Sequence, residues 1–113
     1  MACPTVISPP WQPPGWQPTS IPANTTYQIV LSGGGVPQGA SVAFIQLSVK
    51  GTPGDSVTTR DAAGDDYTPC RAQVSNLWND TLGFAPIDSN NAIYIHNYAS
   101  ASVSVEVKVF GYT

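Results

Sequence analysis

From Ser102 to Val109 the chain reads Ser-Val-Ser-Val-Glu-Val-Lys-Val, with a valine at every second position and only small polar or charged residues between. A β-strand sends successive side chains to opposite faces, so this pattern fits an extended chain with one face on an apolar core and the other in water. A helix, with its period of 3.6, would scatter Val103, Val105, Val107 and Val109 around its circumference. Valine's stiff χ1 also favours the strand. Fully buried, each valine contributes on the order of 1.5–2 kcal/mol. A strand with one wet face belongs to an antiparallel sheet, and that sheet needs a second layer to bury its dry face.

The rest of the chain from residue 24 onward repeats the period of two. Residues 26–31 read as a strand, closed by Ser32-Gly33-Gly34-Gly35 and Pro37-Gln38-Gly39. Residues 41–50 form a longer one, with Ala43, Ile45, Leu47 and Val49 facing one way and Gln46, Ser48 and Lys50 the other. The cluster Gly51-Thr52-Pro53-Gly54-Asp55 is a turn, and a short strand over 56–60 follows it. A loop over 61–66 leads to an expected strand over 70–78. Residues 81–87 read as an edge strand, because Gly83 and Pro86 weaken central pairing. Residues 92–98 alternate Ile93 and Ile95 with Tyr94 and His96. No window shows capped helical periodicity. Seven to eight short strands with turn signals every 8–12 residues predict an all-β fold, an antiparallel β-sandwich or a jelly-roll-like domain.

Residues 1–23 are different. They contain seven prolines, Pro4, Pro9, Pro10, Pro13, Pro14, Pro18 and Pro22, which exclude a helix or a central strand. The expectation is an extended, polyproline-like arm, at about 3.1 Å per residue, preceding a β-sandwich over 24–113. Within it Trp11-Gln12-Pro13-Pro14-Gly15 is echoed by Trp16-Gln17-Pro18. Two tryptophans in a segment with little other apolar mass have no local core to enter. Pro9, Pro10, Trp11, Pro13, Pro14, Trp16 and Pro18 are therefore candidate assembly residues. The arm either docks on a neighbouring subunit or folds back to cover an edge strand of its own domain.

Composition narrows function by exclusion. Of 113 residues only 10% are charged, the net charge is −3, and the four basic side chains, Lys50, Arg60, Arg71 and Lys108, are scattered. Nothing here resembles the basic stripe that neutralises phosphates, so neither a nucleic acid nor an anionic membrane is an expected partner. No run of about 20 apolar residues crosses a bilayer, and the start of the chain lacks the pattern of a signal peptide. Two cysteines, Cys3 and Cys70, make either one bridge between arm and body or two thiols.

Few side chains in the sequence carry catalytic or ligating chemistry. The single histidine, His96, has no Gly-x-Ser-x-Gly elbow to serve and reads as a surface or interface residue. Asp61, Asp65 and Asp66 do not match the calcium-loop spacing, and a solvated loop is expected. Glu106, the one glutamate, reads as a surface ion pair with Lys108. Asn24-Thr25-Thr26 and Asn79-Asp80-Thr81 fit the N-glycosylation pattern, which acts only in a eukaryotic secretory pathway. No catalytic residue, cofactor or metal is expected. Trp78, Tyr94 and Tyr98 form a candidate sugar-stacking platform, although aromatics more often serve packing.

Residues 92–112, running Ala-Ile-Tyr-Ile-His-Asn-Tyr-Ala-Ser-Ala-Ser and then the valine strand to Phe110-Gly111-Tyr112, resemble the end of bacterial cell-surface β-repeats, in which a valine strand closes on Gly-Tyr. The likeness covers the C-terminal two-thirds of the chain. In overall build the chain also resembles small tailed-bacteriophage virion proteins, namely head decoration (cement) proteins and fibre-type β-domains. That resemblance implies a non-enzymatic structural protein, made in a host cytoplasm and located in the virion. It would form a homo-oligomer, a trimer being the first expectation, and bind major capsid or tail proteins through its arm. The alternative is a carbohydrate-binding or adhesion module with a glycan as its partner.

Overall fold

The computed structural model describes residues 4–113. The pairing of Cys3 with Cys70 lies outside the described residues. Among the described residues nine strands make up the fold: β1 Thr5–Trp11, β2 Thr19–Ile21, β3 Thr26–Val30, β4 Val42–Lys50, β5 Ser56–Arg60, β6 Asp66–Arg71, β7 Asn79–Pro86, β8 Ala92–Asn97 and β9 Val103–Tyr112. All the pairings are antiparallel. One sheet has the order β1-β9-β4-β7, with β2 also on β9, and the other β3-β8-β5-β6. The pairs nest: β2 with β9, β3 with β8, β4 with β7, β5 with β6. A long hairpin rolled up on itself gives that nesting, and it is the jelly-roll form of the β-sandwich.

The core lies between the sheets. Ala43, Ile45, Leu47 and Val49 of β4 and Val103, Val105, Val107 and Val109 of β9 face inward, opposite Ile29, Val57, Ile93 and Ile95 of the second sheet. The valine alternation is thus borne out, and β9 runs on to Tyr112. Phe44 pairs with Gly111 but Ile45 pairs with Val109, so Phe110 is a bulged extra residue. The bulge resets the phase of the strand. Tyr112 still packs against the core, while Phe110 is half-buried on the outer side and Gly111 lies beneath β1.

The expected strand over 70–78 sits earlier, at Asp66–Arg71, and residues 72–78 form a loop. Its inward positions are Thr68, Cys70 and, just beyond, Ala72. A core-facing threonine does not register as apolar, which is why the alternation misled. Thr68 and Thr59 latch the two sheets together at this edge. Phe84 N donates to Thr68 Oγ1 at 3.1 Å, and the Phe84 carbonyl accepts from Thr68 Oγ1 at 3.0 Å and from Thr59 Oγ1 at 2.9 Å. Cys70 is buried beside them, and its thiol donates to the Asn79 carbonyl at 3.1 Å. Strand β7 lies at the sheet edge as expected, and Gly83 has a specific reason to be there: a Cβ at this position would overlap Thr68.

The proline-rich segment does not stand apart from the sandwich. β1 pairs with the end of β9, Thr5 opposite Tyr112 and Trp11 opposite Val109; β2 pairs with its beginning, Thr19 opposite Val105. Together they form one interrupted edge strand, so the division near residue 24 is not a boundary in the fold. Edge position is what the prolines permit, since a proline offers no amide to a neighbour on that side. The peptides Ser8-Pro9 and Gln17-Pro18 are cis.

Candidate functional surfaces

Between β1 and β2 the chain leaves the sheet and returns. Trp16 N donates to the Pro13 carbonyl at 3.1 Å, and Gly15 has φ of 86°, so Pro13-Pro14-Gly15-Trp16 is a tight turn with its positive-φ position filled by glycine. The turn drives Trp16 into the core, where it is 7% exposed and meets Tyr27 edge to face at 6.3 Å. Gln12 fixes the turn: its Nε2 donates to the Trp16 carbonyl at 3.1 Å and to Glu106 Oε1 at 2.9 Å. Glu106 therefore bonds Gln12 and makes no ion pair with Lys108; among the described residues Arg60–Asp66 is the ion pair found. Trp11 is half-buried and lies across the 3₁₀ turn Ser32–Gly34, so close that a Cβ on Gly34 would overlap its ring. Pro13 is buried; Pro9, Pro10, Pro14 and Pro18 are exposed. Trp16 does have a core to enter, because the segment folds back along the edge of its own domain as strands paired with β9.

On the outer face of the second sheet, two cross-strand rows come together. Thr26, His96 and Thr58 form one; Gln28, Tyr94 and Arg60 form the next. An open cleft of about 420 Å³ lies over them, walled by the 61–64 turn and lined by Thr26, Gln28, Arg60, Asp61 and Tyr94. Its polar side chains are held in place. Arg60 Nε donates to Asp66 Oδ1 at 2.9 Å, Arg60 Nη2 donates to Tyr98 OH at 2.6 Å, and Tyr98 OH donates to Asp66. Tyr94 OH donates to Asp88 and accepts from Gln28 Nε2 at 3.3 Å.

Electrostatics follow from these contacts. Desolvation opposes ionisation of Asp66, but the bonds from Tyr98 and Arg60 outweigh it and hold its carboxyl below the usual range. The Tyr94 hydroxyl does the same for Asp88, and the Asp65 amide leads in lowering Asp61. His96, expected at a surface, is 8% exposed. Its Nδ1 lies 2.7 Å from Thr26 Oγ1, and Tyr98 packs edge-on against it at 4.5 Å. Burial first, and then the Arg60 charge, lower its pKa against the pull of Asp66. Strand alternation placed His96 on the correct face but gave no sign that Tyr98 folds back to cover it.

The outer face of the first sheet carries a second feature. Phe44 and Phe84 are directly paired across β4 and β7, Leu82 lies opposite Gln46, and Val6 lies opposite Gly111. Val6 is 75% exposed and Leu82 71%. An entirely apolar hollow of about 230 Å³ opens between Pro4, Val6, Phe44 and Phe110. Further along the same face run Lys108 beside Gln46, then Glu106, Ser48 and Asp80.

Of the candidate stacking residues, Tyr94 and Tyr98 share the outer face of the second sheet. Trp78 does not join them: it sits in the 72–78 loop, where Lys50 Nζ lies 5.9 Å above its ring. Asp61, Asp65 and Asp66 stay in or beside their turn, and among the described residues no three His, Cys, Asp or Glu side chains converge as metal ligands. No protein-family model matches the sequence, and no curated protein is significantly similar to it.

Proposed function

We propose that this chain is a non-enzymatic structural module that works by assembling with copies of itself, as virion decoration and fibre-type components do. The observation that supports this reading is the apolar end of the outer face of the first sheet. Outward positions of a two-layer sandwich are normally polar, yet here Val6, Phe44, Leu82, Phe84 and Phe110 gather from four strands. Contiguous exposed apolar surface of this kind marks an interaction site.

A second copy is the occupant favoured by charge. The face carries Lys108 in one row and Glu106 with Asp80 in the next, so a two-fold axis running between these rows sets Lys108 of each copy opposite the acidic row of the other. Self-complementarity of this sort suits an isologous contact. The low charge of the whole chain agrees with a surface meant to be covered. In this reading the sheet face, and not an extended arm, carries the assembly. Light scattering tests it: the native chain runs as an oligomer and Leu82→Asp runs as a folded monomer. A native chain that stays monomeric at high concentration overturns the proposal.

A further inference from the structure

We infer that the cleft over β3, β8 and β5 is a binding site for a neutral, polyhydroxylated ligand, a saccharide unit. This site is on the opposite sheet from the assembly face and does not depend on it.

Three observations carry the inference. The first is shape: about 420 Å³ lies within the range of small-ligand sites, and a second hollow of about 240 Å³, bounded by Pro86, Ile87 and Asp88, flanks the far side of the same turn. The second is pre-organisation. Arg60 is gripped by Asp66 and Tyr98, and Tyr94 by Asp88 and Gln28, so the lining side chains lose little freedom when a ligand arrives. Gln28 spends its amide on Tyr94, which leaves its carbonyl oxygen to accept from a ligand hydroxyl. Arg60 keeps further N–H donors, and the Asp61 carboxylate has acceptor capacity beyond its bonds to Asp65 N and Tyr67 OH. Donors and acceptors therefore alternate around one aromatic ring, as a ligand with an apolar C–H face and a rim of hydroxyls requires.

The third observation is charge. Arg60 is already neutralised by Asp66, and Asp61 adds a negative charge at the rim, so an anion finds no unpaired cation in the cleft. A cation finds no converging ligand set among the described residues. A neutral ligand remains.

The test is saturation-transfer NMR on the full chain with glucose, galactose, mannose, N-acetylglucosamine, lactose, maltose and cellobiose, and with N-acetylneuraminate and inorganic phosphate as anionic probes. At least one neutral sugar gives transfer, and titrating it shifts the amides of Gln28, Tyr94 and the 61–64 turn. Gln28→Ala weakens that binding about tenfold, the equivalent of about 1.4 kcal/mol. Ala63→Trp, on the exposed turn, closes the cleft and abolishes it while leaving thermal unfolding unchanged. No transfer to any neutral sugar, transfer only to the anions, or shifts that map away from the cleft overturns the inference.

Discussion

Asn97 ties two stretches of backbone, residues 21–22 and 99–101, to one buried side chain. Its Nδ2 donates to the carbonyls of Ile21, Pro22 and Ala101 at 3.0–3.1 Å, and its Oδ1 accepts from Ala99 N at 2.8 Å. Asn97→Ala strands buried carbonyls and is expected to cost about 1–3 kcal/mol in urea unfolding. Trp16→Ala removes a core side chain and is expected to cost about 3–5 kcal/mol in the same measurement. An unchanged midpoint would place Trp16 outside the core. Gly83→Ala overlaps Thr68 and is expected to cost about 1–3 kcal/mol, and less in a Thr68→Ala background, because the two side chains contend for one space. His96 gives the pH dependence. Its folded pKa lies below its ordinary 6.5, so the unfolded chain binds the proton more readily. Stability therefore falls as pH drops through that ordinary value toward the folded one, and the loss is complete below the folded pKa. Denaturant titrations from about pH 8 to about pH 5.5 should show this fall in the native chain and not in His96→Gln; equal slopes in both would contradict it.

Among the elements, the first edge strand is where sequence and structure part. Strands β4, β8 and β9 were legible because their inward positions carry aliphatic side chains at a period of two, and β3 and β5 because turn signals bracket a short run around Ile29 or Val57. β6 was misplaced because its inward positions are Thr68 and Cys70. Folding back over an edge was one of the two arrangements open for residues 1–23, but β1 and β2 were not legible as strands because proline argues against a strand until one knows that the position is an edge. The same pairing makes a prediction. A chain beginning at Pro22 lacks Trp16 and the fully buried Ile21 and leaves the outer edge of β9 unpaired. It should lose cooperative unfolding and aggregate; a truncated chain that unfolds like the native one would show that β1 and β2 are dispensable. As for the surfaces, the apolar face was half-legible, since β4 alternation already turned Phe44 outward. The polar cleft was not, because its rows are set by register across three strands and by the turn over 61–64, none of which a single strand's pattern reveals.

At the scale of the whole molecule the sandwich presents two unlike outer faces. One is apolar at one end and charged with both signs beyond it. The other is polar and cross-braced by Arg60, Asp66, Tyr98, Tyr94 and Asp88. The association proposed above uses the first face and the ligand contact inferred above uses the second. A dilution series followed by methyl NMR tests the association directly. The methyls of Val6 and Leu82 are expected to shift with protein concentration, while those of the buried Ile93 and Ile95 stay fixed. Methyl positions that are independent of concentration, or shifts confined to the β3-β8-β5-β6 face, would contradict assembly through the first sheet.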